Sequence, residues 1–363
     1  MKIYQPGVFL MLMLLLAGGL CFGIKDDSGQ NGNPYSVNRL ERTVLGYYTE
    51  DYPGDRLSYH SLVRNHDRVD ITAFFNYVTD GRGNIAGQPV REAIELAERK
   101  NIKTTLMLVH NFHGGKIDRD RAHEVLSKAS NRENLARNIL SLVKENGFDG
   151  VNLDLEFVPP GDRPYYNIFL AGLKELFKPY GYLLTVSVPA KTWDNPGNQW
   201  SGAYDYSFIG QTADLVALMT YDEHWSGGVP GPIASLPWMR QVLDYAVRTI
   251  PESKILIGVA AYGYDWAPDG AGTVRWYRAE ALAAEHGGAG WDDRYAAPYL
   301  IYYDEGGTRH EVWYENKSSL SAKLDLVNSY NVAGIGIWRL GFEDEDFWET
   351  VNWKLEPQNN LGY

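Results

Sequence analysis

One segment of the chain concentrates side chains that can do acid–base chemistry. Residues 147–156 read Gly-Phe-Asp-Gly-Val-Asn-Leu-Asp-Leu-Glu, and polar and apolar residues alternate over the last six positions. Because side chains alternate between the two faces of a β-strand, Asn152, Asp154 and Glu156 share one face and the apolar residues share the other. Carboxyl and amide groups on an inward face need partners or a function. The spacing therefore predicts a strand that carries an acid–base site; the alternative is an edge strand with a solvated acidic face.

The same segment resembles the active-site strand of glycoside hydrolase family 18, the chitinase-like family, whose pattern is Asp-x-x-Asp-x-Asp-x-Glu. Here the pattern reads Asp149-x-x-Asn152-x-Asp154-x-Glu156, with Asn in the second place. The resemblance covers nearly the whole chain after residue 42. It is closest to the spore-germination branch, which is similar to cortical fragment-lytic enzymes. The resemblance implies a retaining glycosidase that cleaves β-1,4-linked N-acetylglucosamine polymers.

The resemblance also implies a substrate-assisted reaction. In this family the 2-acetamido oxygen of the sugar attacks the anomeric carbon and forms an oxazolinium ion. Glu156 is expected to protonate the leaving oxygen and then to activate water, with its neutral form favoured by the nearby carboxylate of Asp154. Asp154 is expected to bind the acetamido N–H and to stabilise developing positive charge. No cofactor is implied. Asp149 lies off this face, so we expect it to tie the start of the strand.

Two further segments carry the resemblance. Residues 219–222 read Met-Thr-Tyr-Asp, like the family's Met-x-Tyr-Asp, and Trp338 matches the tryptophan of the family's cleavage subsite. The resemblance implies that Tyr221 donates to the acetamido oxygen, that Asp222 contacts the sugar or the water, and that Trp338 stacks beneath the sugar ring. Three other aromatic residues are cleft candidates only because they stand at predicted strand ends, where a core or rim position is equally open: Tyr47, Phe75 and Trp193.

Two positions depart from the chitinase pattern. Where chitinases have a second Asp that shares a proton with the next one, Asn152 can take neither a proton nor a charge. We expect Asn152 to be among the substrate-binding residues and its amide to hold Asp154 as a carboxylate, which removes one coupled titration. Residues 111–115, Asn-Phe-His-Gly-Gly, stand where chitinases have Ser-x-Gly-Gly. Both departures favour peptidoglycan or cortex over crystalline chitin as the substrate.

Strand-like and helix-like segments alternate around these residues from residue 43 onwards. Such alternation predicts a parallel sheet, and eight units predict a closed (β/α)8 TIM barrel with catalytic groups at the carboxyl ends of its strands. The predicted strands are 43–48, 69–75, 103–109, 151–156, 182–188, 213–221, 254–262 and 332–338. The predicted helices are 89–100, 132–146, 165–177, 236–249 and 318–330. About seventy residues separate the last two strands, far more than a usual connection. Strand-like segments there, and the resemblance, predict a small α+β insertion at 265–315.

Composition narrows the class of partner. The chain has 363 residues, 44% of them hydrophobic, with 11 Trp and 25 Tyr. Aromatic rings suit both a core and the apolar faces of sugars. The formal net charge of −12 argues against nucleic acid and anionic membrane surfaces as partners. The expected partner is a polysaccharide that contains N-acetylglucosamine, and we expect a monomer.

Cysteine and histidine positions predict neither disulfides nor a metal site. Cys21 is the only cysteine, so the chain after it has no thiol chemistry. His110 and His113 are close in sequence, but they stand in a Gly-containing stretch that we interpret as a loop rather than one helical face. We therefore expect no bound metal.

The N-terminal residues predict export. An uncharged run at residues 7–24 follows Lys2, as in a signal peptide or an uncleaved membrane anchor; a lipoprotein signal is less favoured because Leu20 precedes Cys21. We expect residues 25–42 to form a polar linker and residues 43–355 to form the glycosidase barrel that the resemblance implies. The protein is expected outside the cytoplasm, whether secreted, associated with the cell wall or anchored to the outer face of the membrane.

Three other functions compete with a peptidoglycan or cortex hydrolase. A chitinase would use the same residues on a different polymer. A carbohydrate-binding, lectin-like barrel would lack the acid, whereas Glu156 is present. A scaffold attached to the wall would not explain why Asp154, Tyr221 and Asp222 accompany that acid.

Overall fold

The structure, a computed structural model, describes residues 42–355. The predicted signal or anchor segment and all but the last residue of the predicted linker lie outside these residues. Eight strands, β1 to β8, run parallel: Thr43–Tyr48, Ile71–Thr79, Thr104–His110, Gly150–Asp154, Leu183–Pro189, Leu215–Met219, Ile255–Ala260 and Gly334–Trp338. The ten α-helices of residues 42–355, α1 to α10, are Leu57–Asn65, Arg91–Arg99, Arg119–Ser127, Ala129–Asn146, Arg163–Phe177, Tyr206–Thr212, Leu236–Ala246, Trp276–Glu285, Lys317–Ser329 and Glu345–Leu355.

The eight strands close into a barrel. Each strand pairs with the next in chain order, and β8 pairs with both β7 and β1, so that Gly334 lies opposite Leu256 on one side and Thr43 on the other. A closed parallel sheet surrounded by helices is the (β/α)8 TIM barrel predicted from the sequence. Within residues 42–355, no helix is long and apolar enough to cross a membrane.

The alternating pattern of β4 places apolar side chains on one face of the strand and polar side chains on the other, as predicted. The apolar face packs against the surrounding helices and consists of Val151, Leu153 and Leu155. Each of these side chains is 0% exposed and lies in the hydrophobic cluster between the strands and the helices. Burying each such side chain is worth about 1.5 to 3 kcal/mol. Asn152 and Asp154 point to the inside of the barrel, which also holds a smaller hydrophobic cluster. The strand therefore has one face for packing and one for chemistry.

A small α+β unit separates β7 from β8. Its five antiparallel strands stand in the spatial order second, first, fifth, fourth, third, and helix α8 joins the second to the third. The strands are Tyr262–Ala267, Gly270–Arg275, Gly290–Asp292, Ala297–Tyr303 and Arg309–Trp313. The insertion is thus present between the last two barrel strands. It begins directly after β7, because residues from Tyr262 onwards pair antiparallel with Arg275 and its neighbours.

Two strands extend further than the sequence pattern indicates. Strand β2 continues to Thr79 because its last residues pair with the short strand Ile85–Gly87. A register shift between Phe75 and Tyr77 interrupts the alternation there, which conceals the second half of the strand. Strand β3 ends at His110, so the prediction that this histidine is a loop residue is wrong.

Candidate active site

A cavity opens at the carboxyl ends of the barrel strands. Its volume is about 700 Å³, large enough to hold a sugar chain of a few rings. Most of the lining is aromatic: Tyr47, Phe75, Phe112, Phe157, Trp200, Tyr221, Trp225, Trp238, Tyr264 and Trp338. The carboxyl groups between these rings belong to Asp51, Asp154, Glu156 and Asp222. The structure thus brings together the site residues predicted from the sequence, with two exceptions, Asn152 and the cleft candidate Trp193.

Two carboxyl groups, those of Asp154 and Glu156, enter the cavity at the end of β4. Asp154 is the last residue of β4 and is 6% exposed, and within residues 42–355 no hydrogen-bond partner reaches its Oδ1. Burial raises the pKa of Asp154 to about 7. Burial, and then the carboxylates of Asp154 and Asp222, raise the pKa of Glu156 well above its ordinary range. A neutral carboxyl group can therefore persist at this site near neutral pH, which is what a general acid needs.

Tyr221 and Asp222 come shortly after the end of β6, two strands along the barrel from β4, and both line the cavity. Burial raises the pKa of the Tyr221 hydroxyl well above its ordinary value, so this group stays a hydrogen-bond donor. Asp222 has a φ of 59°, a left-handed conformation that aims its side chain at the insertion. Its Oδ1 accepts hydrogen bonds from the hydroxyls of Tyr262 at 2.5 Å and Tyr264 at 3.0 Å. The insertion therefore fixes this carboxyl group.

Trp338 ends β8 and forms an aromatic corner with two predicted cleft residues. Its ring centroid is 5.4 Å from that of Tyr47 and 5.3 Å from that of Phe75, with both pairs edge to face. Phe75 in turn stacks on the ring of His110 at 4.1 Å. Burial lowers the pKa of His110 to about 4, so this imidazole is neutral. These edge-to-face contacts hold the ring of Trp338 in the lining of the cavity.

Asn152 lies beneath the cavity rather than in its lining, which corrects the prediction of direct substrate contact. It is 0% exposed, because it stands two residues, or about 6.6 Å, deeper along β4 than Asp154. Its amide donates to Thr185 at 2.8 Å, and its carbonyl accepts from Ser187 at 3.0 Å. The prediction that this amide holds Asp154 as a carboxylate is also wrong, since both of these contacts go to β5 and burial raises the pKa of Asp154.

Ser187 is a site residue that the sequence analysis missed. It lines the cavity, and its Oγ lies 2.9 Å from the Tyr47 hydroxyl. Because Ser187 donates its own proton to Asn152, the Tyr47 hydroxyl must be the donor in this pair. The alternation of Thr185 and Ser187 on the predicted fifth strand was the signal that could have identified it.

The structure also locates Asp149, the cleft candidate Trp193 and two aromatic residues that were not predicted. Asp149 ties the start of β4 as predicted, since its carboxylate accepts hydrogen bonds from the backbone N–H and the hydroxyl of Thr105 at 2.7 and 3.2 Å. Trp193 is 63% exposed and is absent from the lining of the cavity described here. Trp200 and Phe157 do line the cavity, with ring centroids 4.3 Å apart, and neither was predicted.

A TIM barrel whose carboxyl-end cavity holds clustered carboxyl groups among aromatic rings is typical of enzymes that hydrolyse sugars. The profile of glycosyl hydrolases family 18 matches residues 43–343. The chain belongs to this family, and it is a glycosidase.

Similar proteins support the resemblance to the spore-germination branch. The chain is 33% identical over 314 residues to the uncharacterized glycosylase YvbX of Bacillus subtilis (strain 168), which covers 85% of this chain and 90% of that protein. It is 31% identical over 299 residues to the cortical fragment-lytic enzyme of Bacillus anthracis, covering 79% of this chain and 67% of that protein. The crystal structure of the spore cortex-lytic enzyme SleL of Bacillus megaterium QM B1551 has a TM-score of 0.82 at 28% identity, covering 90% of this chain and 77% of that chain. The resemblance is confirmed.

Proposed function

We propose that the protein is a retaining N-acetylglucosaminidase that cleaves peptidoglycan or cortex glycan strands by substrate-assisted catalysis. The observation that carries the proposal is the pair of carboxyl groups of Asp154 and Glu156, which shares one cavity with Tyr221 and Trp338. In this reaction the carboxyl group of Glu156 protonates the leaving oxygen as the acetamido oxygen attacks the anomeric carbon. The resulting carboxylate then takes a proton from the incoming water.

The remaining side chains have the chemistry that an acetamido nucleophile requires. The carboxyl group of Asp154 accepts the acetamido N–H, and its free Oδ1 is the available acceptor. The hydroxyl of Tyr221 donates to the acetamido oxygen and orients it for attack. Trp338 supports the ring of the same sugar. Together these contacts place the nucleophile before the bond breaks, which lowers the entropic cost of the reaction.

The choice of polymer rests on the relatives and on the charge of the cavity. The relatives named above include a cortical fragment-lytic enzyme and a spore cortex-lytic enzyme. Among the described residues, the cavity lining contains carboxyl groups and no Lys, Arg or His. A muramyl sugar with a free lactyl carboxylate would be repelled there, so we expect muramyl sugars whose carboxyl is capped as an amide to be better substrates.

The experiment that tests the proposal compares substrates and identifies the products by mass. The purified protein is incubated with chitin, vegetative peptidoglycan and cortex fragments. We expect muropeptides with N-acetylglucosamine at the reducing end, with more product from strands rich in capped muramyl sugars. Release of chitobiose from chitin without muropeptides would favour a chitinase. Tight binding of these polymers without any cleavage would favour a lectin-like barrel.

A further inference from the structure

The loop after β3 departs from the chitinase pattern, and its first residue contacts the backbone of the proposed acid. Asn111 follows β3 directly and is 1% exposed. Its Nδ2 donates to the carbonyl oxygen of Glu156 at 2.9 Å, and its Oδ1 accepts from the N–H of Glu156 at 2.8 Å. One carboxamide therefore pairs with both hydrogen-bonding groups of a single residue.

Asn111 also fastens the short hairpin that follows it. Its Nδ2 donates to the carbonyl oxygen of Asp118 at 3.0 Å, and its main-chain carbonyl accepts from the N–H of Asp118 at 3.0 Å. The side chains at both ends of this hairpin, Phe112 and Ile117, line the cavity. One buried side chain thus joins the edge of the cavity to the backbone of Glu156.

The backbone around Glu156 needs such support because it turns sharply. The next residue, Phe157, has a φ of 53°, in the left-handed region that residues other than glycine rarely adopt. On the other side, the carbonyl oxygen of Leu155 accepts a hydrogen bond from the hydroxyl of Tyr204 at 2.6 Å. Two buried side chains, those of Asn111 and Tyr204, therefore hold the backbone of Glu156 and of the residue before it.

We propose that Asn111 is a positioning residue that fixes the carboxyl group of Glu156 for proton transfer to the leaving oxygen. The inference rests on the proposed function, because it concerns the proposed acid. Asparagine suits the task since its side chain offers a donor and an acceptor at once. Aspartate has the same shape but no donor, so the oxygen in place of Nδ2 would face the carbonyl oxygens of Glu156 and Asp118. Serine is too short to reach both groups of Glu156.

The test compares Asn111→Asp with the wild type on substrates that share one sugar and differ in leaving group. An N-acetylglucosamine oligomer needs protonation of its leaving oxygen, whereas a 2,4-dinitrophenyl glycoside hardly does. We expect kcat for the oligomer to fall by about 10- to 100-fold. We expect only a small fall for the dinitrophenyl glycoside and a nearly unchanged KM for both, because the sugar contacts are untouched.

Asn131→Asp is the matched control. The Nδ2 of Asn131 donates to the carbonyl oxygens of Gly81 and Glu124 at 2.8 and 3.0 Å, so the same change removes the same kind of contact away from the cavity. This control should keep wild-type kinetics with both leaving groups. In Asn111→Ser, kcat should also fall more for the oligomer than for the dinitrophenyl glycoside. This variant replaces Asn111→Asp in the test if circular dichroism shows that Asn111→Asp does not fold.

The outcomes separate this inference from the proposed function. Equal losses of kcat for both leaving groups, or a change confined to KM, would overturn the positioning role of Asn111. Wild-type kinetics in a folded Asn111→Asp variant would also overturn the positioning role of Asn111, but they would leave the proposed function unaffected. A wild-type protein that cleaves neither substrate would instead overturn the proposed function.

Discussion

Asp154 and Glu156 compete for protons because both carboxyl groups lie in the same cavity. Burial raises the pKa of both groups, and the carboxylate of Asp154 raises that of Glu156 further. The pair therefore titrates as a unit, and it can keep at least one proton at a pH where exposed carboxyl groups have lost theirs. Because Asn152 stands where the family pattern has an aspartate, two carboxyl groups share this competition instead of three.

The first prediction concerns the acid. Glu156→Gln keeps the size and hydrogen bonding of the side chain but cannot deliver a proton. We expect turnover of oligosaccharides to fall by at least ~100-fold, the usual scale for a general acid, while sugar affinity measured by calorimetry is retained. Glu133→Gln, on the exposed surface of α4, should match the wild type. Near-normal turnover in Glu156→Gln would remove this residue from its proposed role.

The second prediction concerns pH-dependent stability. The pKa of Asp154 is raised by burial to about 7, so the folded state binds more protons than the unfolded state between about pH 4 and that value. Its stabilising contribution is present below about pH 4 and is lost as the pH rises through about 7. Asp154→Asn lacks this contribution, so its Tm should fall less over that window, by on the order of a few degrees.

Thermal scans at several pH values check this prediction. Asp325→Asn, at an exposed carboxyl group on α9, is the control and should follow the wild-type curve. Parallel Tm curves for Asp154→Asn and the wild type would contradict the raised pKa.

At the scale of elements, the segment between β5 and α6 brings Trp200 to the cavity. Arg163 binds both carboxylate oxygens of Asp194 at 3.0 Å, and the buried Lys191 donates to the same carboxylate at 2.8 Å. These partly shielded ion pairs fix the segment against α5. Trp200 remains 43% exposed at the edge of the cavity, where a longer substrate would extend beyond the cleavage site.

The third prediction concerns this edge. Trp200→Ala should raise KM for long oligosaccharides by about 5- to 20-fold, because stacking on an aromatic ring is worth on the order of 1 kcal/mol or more. Short aryl glycosides should be unaffected, and Tm should change little because the ring is half exposed. Trp291→Ala, 41% exposed in the insertion, is the control. An equal rise in KM for short substrates would place Trp200 elsewhere in the reaction.

Features that depend only on neighbouring residues could be predicted from the sequence. The alternation in residues 151–156 gave the strand, its two faces and the acid–base pair, because these depend on the period of the chain alone. Gly147, with a φ of 74°, ends α4 where the sequence indicates. The bulge near Phe75 and the start of the insertion at Tyr262 depend on pairing with distant strands, so the predicted ends of β2 and β7 were displaced.

The unpredicted site residues owe their place to contacts across the fold. Asn111 is separated from Glu156 by 45 positions, and Trp200 reaches Phe157 from a different connection between strand and helix. No local period marks such pairs. For Asn152 the sequence predicted the correct face of the strand but not the depth of the residue in the barrel. That depth depends on how the sheet closes, and it places the Asn152 amide against β5 instead of in the cavity.

At the scale of the molecule, we propose that the protein acts outside the cytoplasm. The supporting features are the uncharged run at residues 7–24, the polar residues that follow and the single cysteine, Cys21. Cell fractionation with mass analysis of the N-terminus should locate the protein in the wall, in the medium or on the outer face of the membrane. Recovery from the cytosol with residues 1–24 intact would contradict this fourth prediction.

The account depends on one chemical claim, that the acetamido group of the substrate is the nucleophile and that the product retains its configuration. Proton NMR of the anomeric region during hydrolysis of a β-linked N-acetylglucosamine oligomer tests the stereochemical part directly. The wild-type protein should release the β-anomer first, and the α-anomer should grow only at the rate of mutarotation. First release of the α-anomer would mean that water attacks the sugar directly, and it would contradict the proposed mechanism.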